Sequence, residues 1–425
     1  MRGVTSYSDV PASSSAATLD PPPPVAHAPP GVGPDDDPRR WGMLALLALA
    51  ELLGMSLWFA GNAVAPALAA RWGLSGTEVA GLTTAVQLGF VGGTALIAFA
   101  NLADIVPARV LFAVCATFGA LANAGLAVSG SYGVALATRV AAGACLAGVY
   151  PPAMKMAATW FRARRGMAVG TVVGALTVGK ALPYLLKSFP ALGVRAVVLS
   201  ASGAALVAAA LIWFAYHDGP YPFAPRPFSW RLVHDVVRER RWRMVLGGYL
   251  GHMAELYSYW TWIPAFLTAS AVARSGSAPH WVGALAFATV AIGGFGCVWG
   301  GLVADRIGRA RLTIAAMAAS GTCALLVAFT FGGNWGLLAP LALAWGFFVI
   351  ADSAQFSVLA TESVPAHAVG TALALQTSLG FLLTTLTIQL IPPVVERGGW
   401  RVAFAMLAIG PVLGIVSMRR VPNPA

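Results

Sequence analysis

The sequence predicts an all-α integral membrane protein with twelve transmembrane helices in two pseudo-symmetric halves of six. Three observations carry this reading. The 425-residue chain is 58% hydrophobic and only 10% charged, whereas a soluble domain carries about 25% charged residues, so it has too little polar surface to face water all round. From Met43 onward, apolar runs alternate with short polar turns, each run near the ~20 residues that a bilayer-crossing helix needs. Features of the first half then recur in the second at a nearly constant offset.

Residues 1–40 are rich in Pro, Ala, Ser and Asp, with Pro21 to Pro24 in a row. They show no apolar periodicity and read as a disordered tail. No short apolar stretch follows a basic start there, so a signal peptide is not expected. The apolar runs lie at 43–69, 78–100, 109–129, 132–158, 166–187, 195–216, 244–269, 281–303, 311–332, 335–359, 369–392 and 399–418. Pro66, Pro151, Pro152, Pro183 and Pro264 fall inside them, where proline bends a membrane helix and frees carbonyls. The domains are therefore a tail (1–40), a first half (41–216), a linker (217–243), a second half (244–420) and a short tail (421–425). Within the linker, Trp230 to Val237 reads either as an amphipathic helix on the membrane surface or as a solvated connection. Glycines at Gly89/Gly93, Gly170/Gly174, Gly247/Gly251 and Gly296/Gly300 repeat at four-residue spacing, which lets helices approach closely.

The internal repeat is clearest at a charged turn. The stretch 300–311 contains Gly300, Leu302, Asp305, Arg306, Gly308, Arg309 and Arg311; its counterpart at 100–109 shares the aspartate, Asp104, and carries Leu102 and Arg109, but has Ile105, Pro107 and Ala108 in place of Arg306, Gly308 and Arg309. The two aspartates are 201 positions apart, an offset shared by Gly92-Gly93 and Gly293-Gly294. Ala50-Glu51-Leu52 likewise answers Ala254-Glu255-Leu256, and each Glu has a Trp seven residues on, Trp58 and Trp262.

This turn resembles the loop motif of the major facilitator superfamily, roughly G-x-L-x-D-R-x-G-R-R, which joins the second and third helices of each half. Arg139-Val140-Ala141-Ala142-Gly143 is similar to that family's R-x-x-x-G in the fourth helix, with Ala142 in place of its usual Gln. Trp160-Phe161 with Arg164 to Gly166, Val364-Pro365 with Gly370 to Ala372, and Gly399-Trp400-Arg401 resemble further loops of the same family. The stretch Tyr150 to Lys155 is most like bacterial anion-type members, the cyanate- or nitrate-like permeases. The resemblance covers about residues 41–420. It implies the superfamily fold, a solute held between the halves near the midplane, and a latch role for Asp305, Arg306, Arg309, Asp104 and Arg109.

Charge sets the expected orientation. With the N-terminus inside, eighteen of the 27 basic residues flank inner helix ends and six flank outer ones, so both termini are expected in the cytoplasm. The net charge of +11 is spread between apolar runs rather than gathered in one patch, so nucleic acid is not an expected partner. Cys115, Cys145, Cys297 and Cys323 lie in apolar runs without C-x-x-C spacing and read as small core residues, not as disulfides or metal ligands.

Ionisable side chains inside the runs mark a pathway, because they are costly in hydrocarbon and usually face a watery cavity or a partner. At 100° per residue, Glu51, Trp58 and Asn62 share a face, as do Glu255, Tyr259 and Trp262 with His252 at the edge. Arg139 and Tyr150 share a third face, and Lys180 and Tyr184 a fourth. Asp352 has Gln355 close by. The expectation is that Arg139, Lys180, Trp58, Asn62, Tyr150, Tyr259, Trp262 and Gln355 bind the solute, while Glu51, Glu255, Asp352 and His252 carry protons. Lys155 reads as a snorkelling residue. No H-E-x-x-H, G-x-S-x-G or P-loop is present, so an enzyme or an ATP-driven pump is not signalled. The expected function is a monomeric, proton-coupled secondary transporter of a small anionic or zwitterionic solute in the plasma (bacterial inner) membrane, needing no cofactor or metal. The alternatives are an exporter of drugs or metabolites with the same fold and a non-transporting membrane sensor or scaffold.

Overall fold

The computed structural model describes residues 37–162, 164–189, 191–221 and 229–421, apart from the side chains of Asp104, Arg165 and Ala366. The tail predicted over 1–40 and part of the linker thus fall largely outside the described residues. Every described regular element is helical. Ten helical stretches are long and apolar enough to cross a membrane: Arg39–Trp72, Gly76–Phe99, Ala108–Leu126, Tyr132–Trp160, Gly166–Lys187, Val194–Ala215, Trp281–Ile307, Arg309–Phe329, Trp335–Thr361 and Val369–Met418. The last divides at Gly399, whose φ of 74° is left-handed and suits glycine. The more polar helix Arg240–Ser275 completes the set. Among the described residues this makes twelve spans, numbered here 1 to 12 in chain order.

Span 1 starts at Arg39, four residues before the apolar run. Asp37 accepts a hydrogen bond from the Arg39 backbone N–H (2.9 Å) and pairs with its guanidinium at 2.8 Å. Those bonds hold the Asp37 carboxyl below its usual range.

Several spans are broken. Span 1 is interrupted between Met55 and Ala60. Span 4 breaks after Leu146 and resumes at Tyr150, where Pro151 and Pro152 occupy the first turn, a position at which a missing N–H costs nothing. Span 10 breaks at Asp352, the pseudo-symmetric place in the second half. Breaks in membrane helices are tolerated where neighbouring groups satisfy the freed backbone.

Packing repeats between the halves. Span 2 lies so close to span 4 that a Cβ at Gly89 or Gly143 would strike the backbone of Val140 or Val86. In the second half, Gly296 and Gly300 of span 8 meet the backbone of Phe347 and Ala351 in span 10. The halves join along spans 2 and 11 and along spans 5 and 8. At the first seam the Gln389 amide lies 3.1 Å from the Thr84 hydroxyl; at the second, Gly174 faces Gly294.

The linker forms a helix, Trp230–Arg238, with Val236 buried and Trp230 and Val237 exposed. Trp230 approaches Phe99 at 5.7 Å between ring centroids. The membrane face carrying this helix is called the linker side below. The charged turn lies there too: span 8 ends at Ile307, Gly308 turns the chain at φ 90°, and span 9 starts at Arg309. The first copy differs, with a helical turn at Leu102–Ile105 and Pro107 heading span 3.

Candidate functional site

Span 5 lies against span 1 where a Cβ at Gly179 would strike the Leu52 carbonyl. That close approach brings Glu51 and Lys180 to one level. The Lys180 ammonium sits over three aromatic faces, 4.0 Å from the Trp58 ring centroid, 4.7 Å from Tyr257 and 4.9 Å from Trp260. It also donates a 2.5 Å hydrogen bond to the Tyr257 hydroxyl. Lys180 is 1% exposed and Trp58 fully buried. A cation over desolvated rings gains about 2 kcal/mol at each well-placed face, which offsets part of the cost of burying the charge. The cage extends through Phe90 and Phe381, whose rings lie 5.2 and 5.4 Å from Trp58 and 4.5 Å from each other. Spans 1, 2 and 5 of the first half and spans 7 and 11 of the second therefore converge here. Phe59 closes the cage from the side away from the linker, against Tyr184 (5.9 Å) and Trp260 (6.2 Å).

Glu51 is fully buried, neither of its carboxylate oxygens has a hydrogen-bond partner, and it makes no ion pair among the described residues. Lys180 stands beside it across the Leu52–Gly179 contact and is the charge that acts on it. Tyr150 of span 4 lies within electrostatic reach of Glu51 and of Tyr249.

Arg139, expected among the solute ligands, is engaged by the break in span 1. Its guanidinium donates to the Leu57 carbonyl from both Nη atoms (3.1 Å each), to the Trp58 carbonyl, and to Asn123 Oδ1 at 2.8 Å. The break in span 1 frees those carbonyls, and Arg139 satisfies them. Asn62 is likewise engaged, donating to Thr83 Oγ1 at 2.5 Å.

The stripe on span 7 turns away. Glu255 accepts hydrogen bonds from Ser320 Oγ and Trp345 Nε1, both 2.8 Å. Tyr259 donates to the Ala342 carbonyl (3.0 Å) and Trp262 to the Ile388 carbonyl (3.1 Å). These partners all belong to the second half, so Glu255 does not mirror Glu51 across a shared cavity. The face of span 7 that meets the centre carries Tyr257 and Trp260, which the sequence reading missed. Tyr257 is two residues from Glu255, a rotation of about 200°. His252 Nδ1 lies 2.9 Å from Asp352 Oδ1, each residue 1% exposed. That pair sits at the span 10 break, beside Phe356.

On the linker side, Gln355 accepts a 3.1 Å hydrogen bond from Arg309 and so belongs to the charged turn rather than to the aromatic cage. Arg309 also bonds Glu362 at 3.0 Å, and Arg241 approaches Glu362 at 3.9 Å. Asp305 is 73% exposed and only 3.8 Å from Arg309. The centre of this network is therefore Glu362, a residue the sequence reading passed over although it stands two positions before Val364-Pro365. Arg306 and Arg109 are exposed on this face, and the side chain of Asp104 lies outside the described residues. Lys155 donates to the Ala103 carbonyl at 2.7 Å, tying span 4 to the first copy of the turn.

No curated protein matches this sequence. Among solved structures, the chain is similar to a point mutant of the nucleoside transporter NupG, with a TM-score of 0.69 and 14% identity over 90% of this chain and 100% of that one. It is also similar to the human organic anion transporter MFSD10 (TETRAN), with a TM-score of 0.66 and 14% identity over the same shares. At such identity these likenesses concern the fold. The sequence itself matches the Major Facilitator Superfamily over residues 46–388. With twelve spans in two repeated halves and a central site built from both, the chain belongs to that superfamily of non-enzymatic membrane transporters.

Proposed function

We propose that this protein is a proton-coupled secondary transporter that moves a small anionic or zwitterionic solute by alternating access across the plasma (bacterial inner) membrane, with both termini in the cytoplasm. The observation that carries the reading is Lys180. Its buried ammonium stands at the junction of the halves, ringed by Trp58, Tyr257 and Trp260, with the unpartnered carboxylate of Glu51 within electrostatic reach. A cation there attracts a negative group, and a carboxylate in a dry site takes and releases protons where water would leave it ionised. The Asp352–His252 pair and Glu255 lie in the other half, each engaged with neighbours of its own. Alternating access would proceed by rocking of the halves along their glycine-lined seams, with the Arg309–Glu362–Arg241 network holding the linker side.

A second reading, export of a cationic drug or metabolite, draws on the two unpartnered oxygens of Glu51 beside aromatic faces. Uptake in proteoliposomes, with and without an imposed pH gradient, decides between them. Acid-driven uptake of organic anions supports the first. Proton-driven movement of organic cations alone overturns it.

A further inference from the structure

We propose that Glu51 is the resident counter-ion of Lys180, and that the solute is a small monocarboxylate with an apolar body whose carboxylate replaces Glu51 in that role. This rests on the transport reading above and narrows it.

The argument begins from charge. Lys180 and Glu51 are both buried within the bilayer span, where net charge is costly. With Lys180 cationic and Glu51 ionised, the site is neutral. An incoming carboxylate would make it negative unless one proton adds to a Glu51 oxygen. Both Glu51 oxygens lack a partner, so nothing else competes for that proton. Bound solute and one proton then leave the site as neutral as before, and no covalent bond forms or breaks. Solute and proton cross together, one to one and without net charge.

The neighbouring groups leave these roles to this pair. Arg139 is spent on the Leu57 and Trp58 carbonyls and on Asn123. Glu255 is bonded to Ser320 and Trp345, and Asp352 faces His252. The other titratable groups around the centre are Tyr184 of span 5, beside Phe59 and the Trp260 carbonyl, Tyr257 and Tyr249 of span 7, Tyr150 of span 4 and Cys297 of span 8. None of these is a fixed charge at neutral pH.

The walls define the rest of the solute. Trp58, Phe90, Tyr257 and Phe381 meet at mutual tilts of 39° to 67° with centroids 4.5 to 5.9 Å apart. All four are buried, so they would meet the body of the solute with apolar aromatic surface. A dianion would leave one charge unbalanced, and a cation would meet Lys180.

The test uses purified full-length protein in detergent with four probes of similar shape: benzoate, terephthalate, benzamide and benzylammonium. Benzoate is expected to raise the melting temperature and quench tryptophan fluorescence, with uptake of one proton per benzoate bound in weakly buffered solution. Its affinity should fall by up to tenfold per pH unit on the alkaline side. The other three probes should do neither. Glu51→Gln should bind benzoate without proton uptake and without pH dependence. Lys180→Gln should bind none, and Lys180→Arg should retain some binding, showing that loss in the first variant is not misfolding. Stabilisation by benzylammonium in place of benzoate, no response to benzoate, or proton uptake that persists in Glu51→Gln overturns the proposal. If another solute is still driven by a proton gradient, only the counter-ion assignment falls. If no solute is proton-driven, the transport reading falls with it.

Discussion

Replacing Arg139 with Gln should loosen the first span rather than remove a solute ligand. The guanidinium serves three buried acceptors: the Leu57 carbonyl, the Trp58 carbonyl and Asn123 Oδ1. A glutamine amide has two N–H donors on a shorter stem, so one or two acceptors are left bare. Each costs about 1–3 kcal/mol when buried, for a total of roughly 1–6 kcal/mol. Unfolding entropies near 2.1 cal/mol/K per residue give about 0.9 kcal/mol/K for a 425-residue chain, so the melting temperature should drop by roughly 1–7 °C. A thiol-reactive dye reads the transition, because Cys297 and Cys323 are buried until the spans separate. Arg139→Lys, with its charge and three donors, should recover part of the loss. An unchanged melting temperature for Arg139→Gln without solute, together with lost solute binding, would refute this reasoning and return Arg139 to the binding site.

Two further outcomes follow from contacts that the charged turn and the second half make. Glu362→Gln should open the linker side, because it removes the shared partner of Arg309 and Arg241. Pairs this exposed are worth about 0.2–1 kcal/mol, so labelling of a Ser357→Cys reporter, half-buried in the last segment of span 10, should rise by up to about five-fold in a cysteine-free background. Asp305→Asn should act more weakly, given its exposure and 3.8 Å spacing; a larger effect at Asp305 than at Glu362 would reverse the assignment. His252→Ala should lower the melting temperature more than His252→Ala combined with Asp352→Asn, because the single change leaves a buried carboxylate without its neighbour. Coupling of about 0.5–3 kcal/mol is expected in that double-mutant cycle, and simple additivity would mean the pair contributes nothing.

The twelve spans and the repeat were legible because hydrophobic length and turn chemistry are local properties. The run at 78–100 corresponds to Gly76–Phe99, and that at 195–216 to Val194–Ala215. The break in span 1 was not legible. Ser56, Leu57, Trp58 and Phe59 include neither glycine nor proline, and what permits the break is a guanidinium 82 positions away in sequence. Which face of span 7 meets Lys180 was not legible for a related reason. His252, Glu255, Tyr257, Tyr259, Trp260 and Trp262 are all buried, so this helix is enclosed by protein on every side and no apolar stripe reveals which face meets the centre. Taking Glu255 as the pointer selected the face that Ser320 and Trp345 cover. Lys180 was legible as a charge within an apolar run, but its cage joins spans 1, 5 and 7, and such a meeting of distant segments leaves no mark on local periodicity. Glu362 was missed because a lone carboxylate at a helix end looks like any solvated charge until Arg309 and Arg241 are seen around it.

The claim that Lys180 and Glu51 together couple the solute to the proton is tested most directly by comparing accumulation with exchange in proteoliposomes. Labelled benzoate serves as solute, with wild type, Glu51→Gln and Lys180→Gln reconstituted at equal density. A carboxylate that must be protonated for net movement is dispensable when solute merely exchanges for solute. Wild type should concentrate benzoate under an inward proton gradient and also exchange it. Glu51→Gln should lose accumulation and keep exchange, and Lys180→Gln should lose both. Gradient-driven accumulation at the wild-type level in Glu51→Gln would contradict the account.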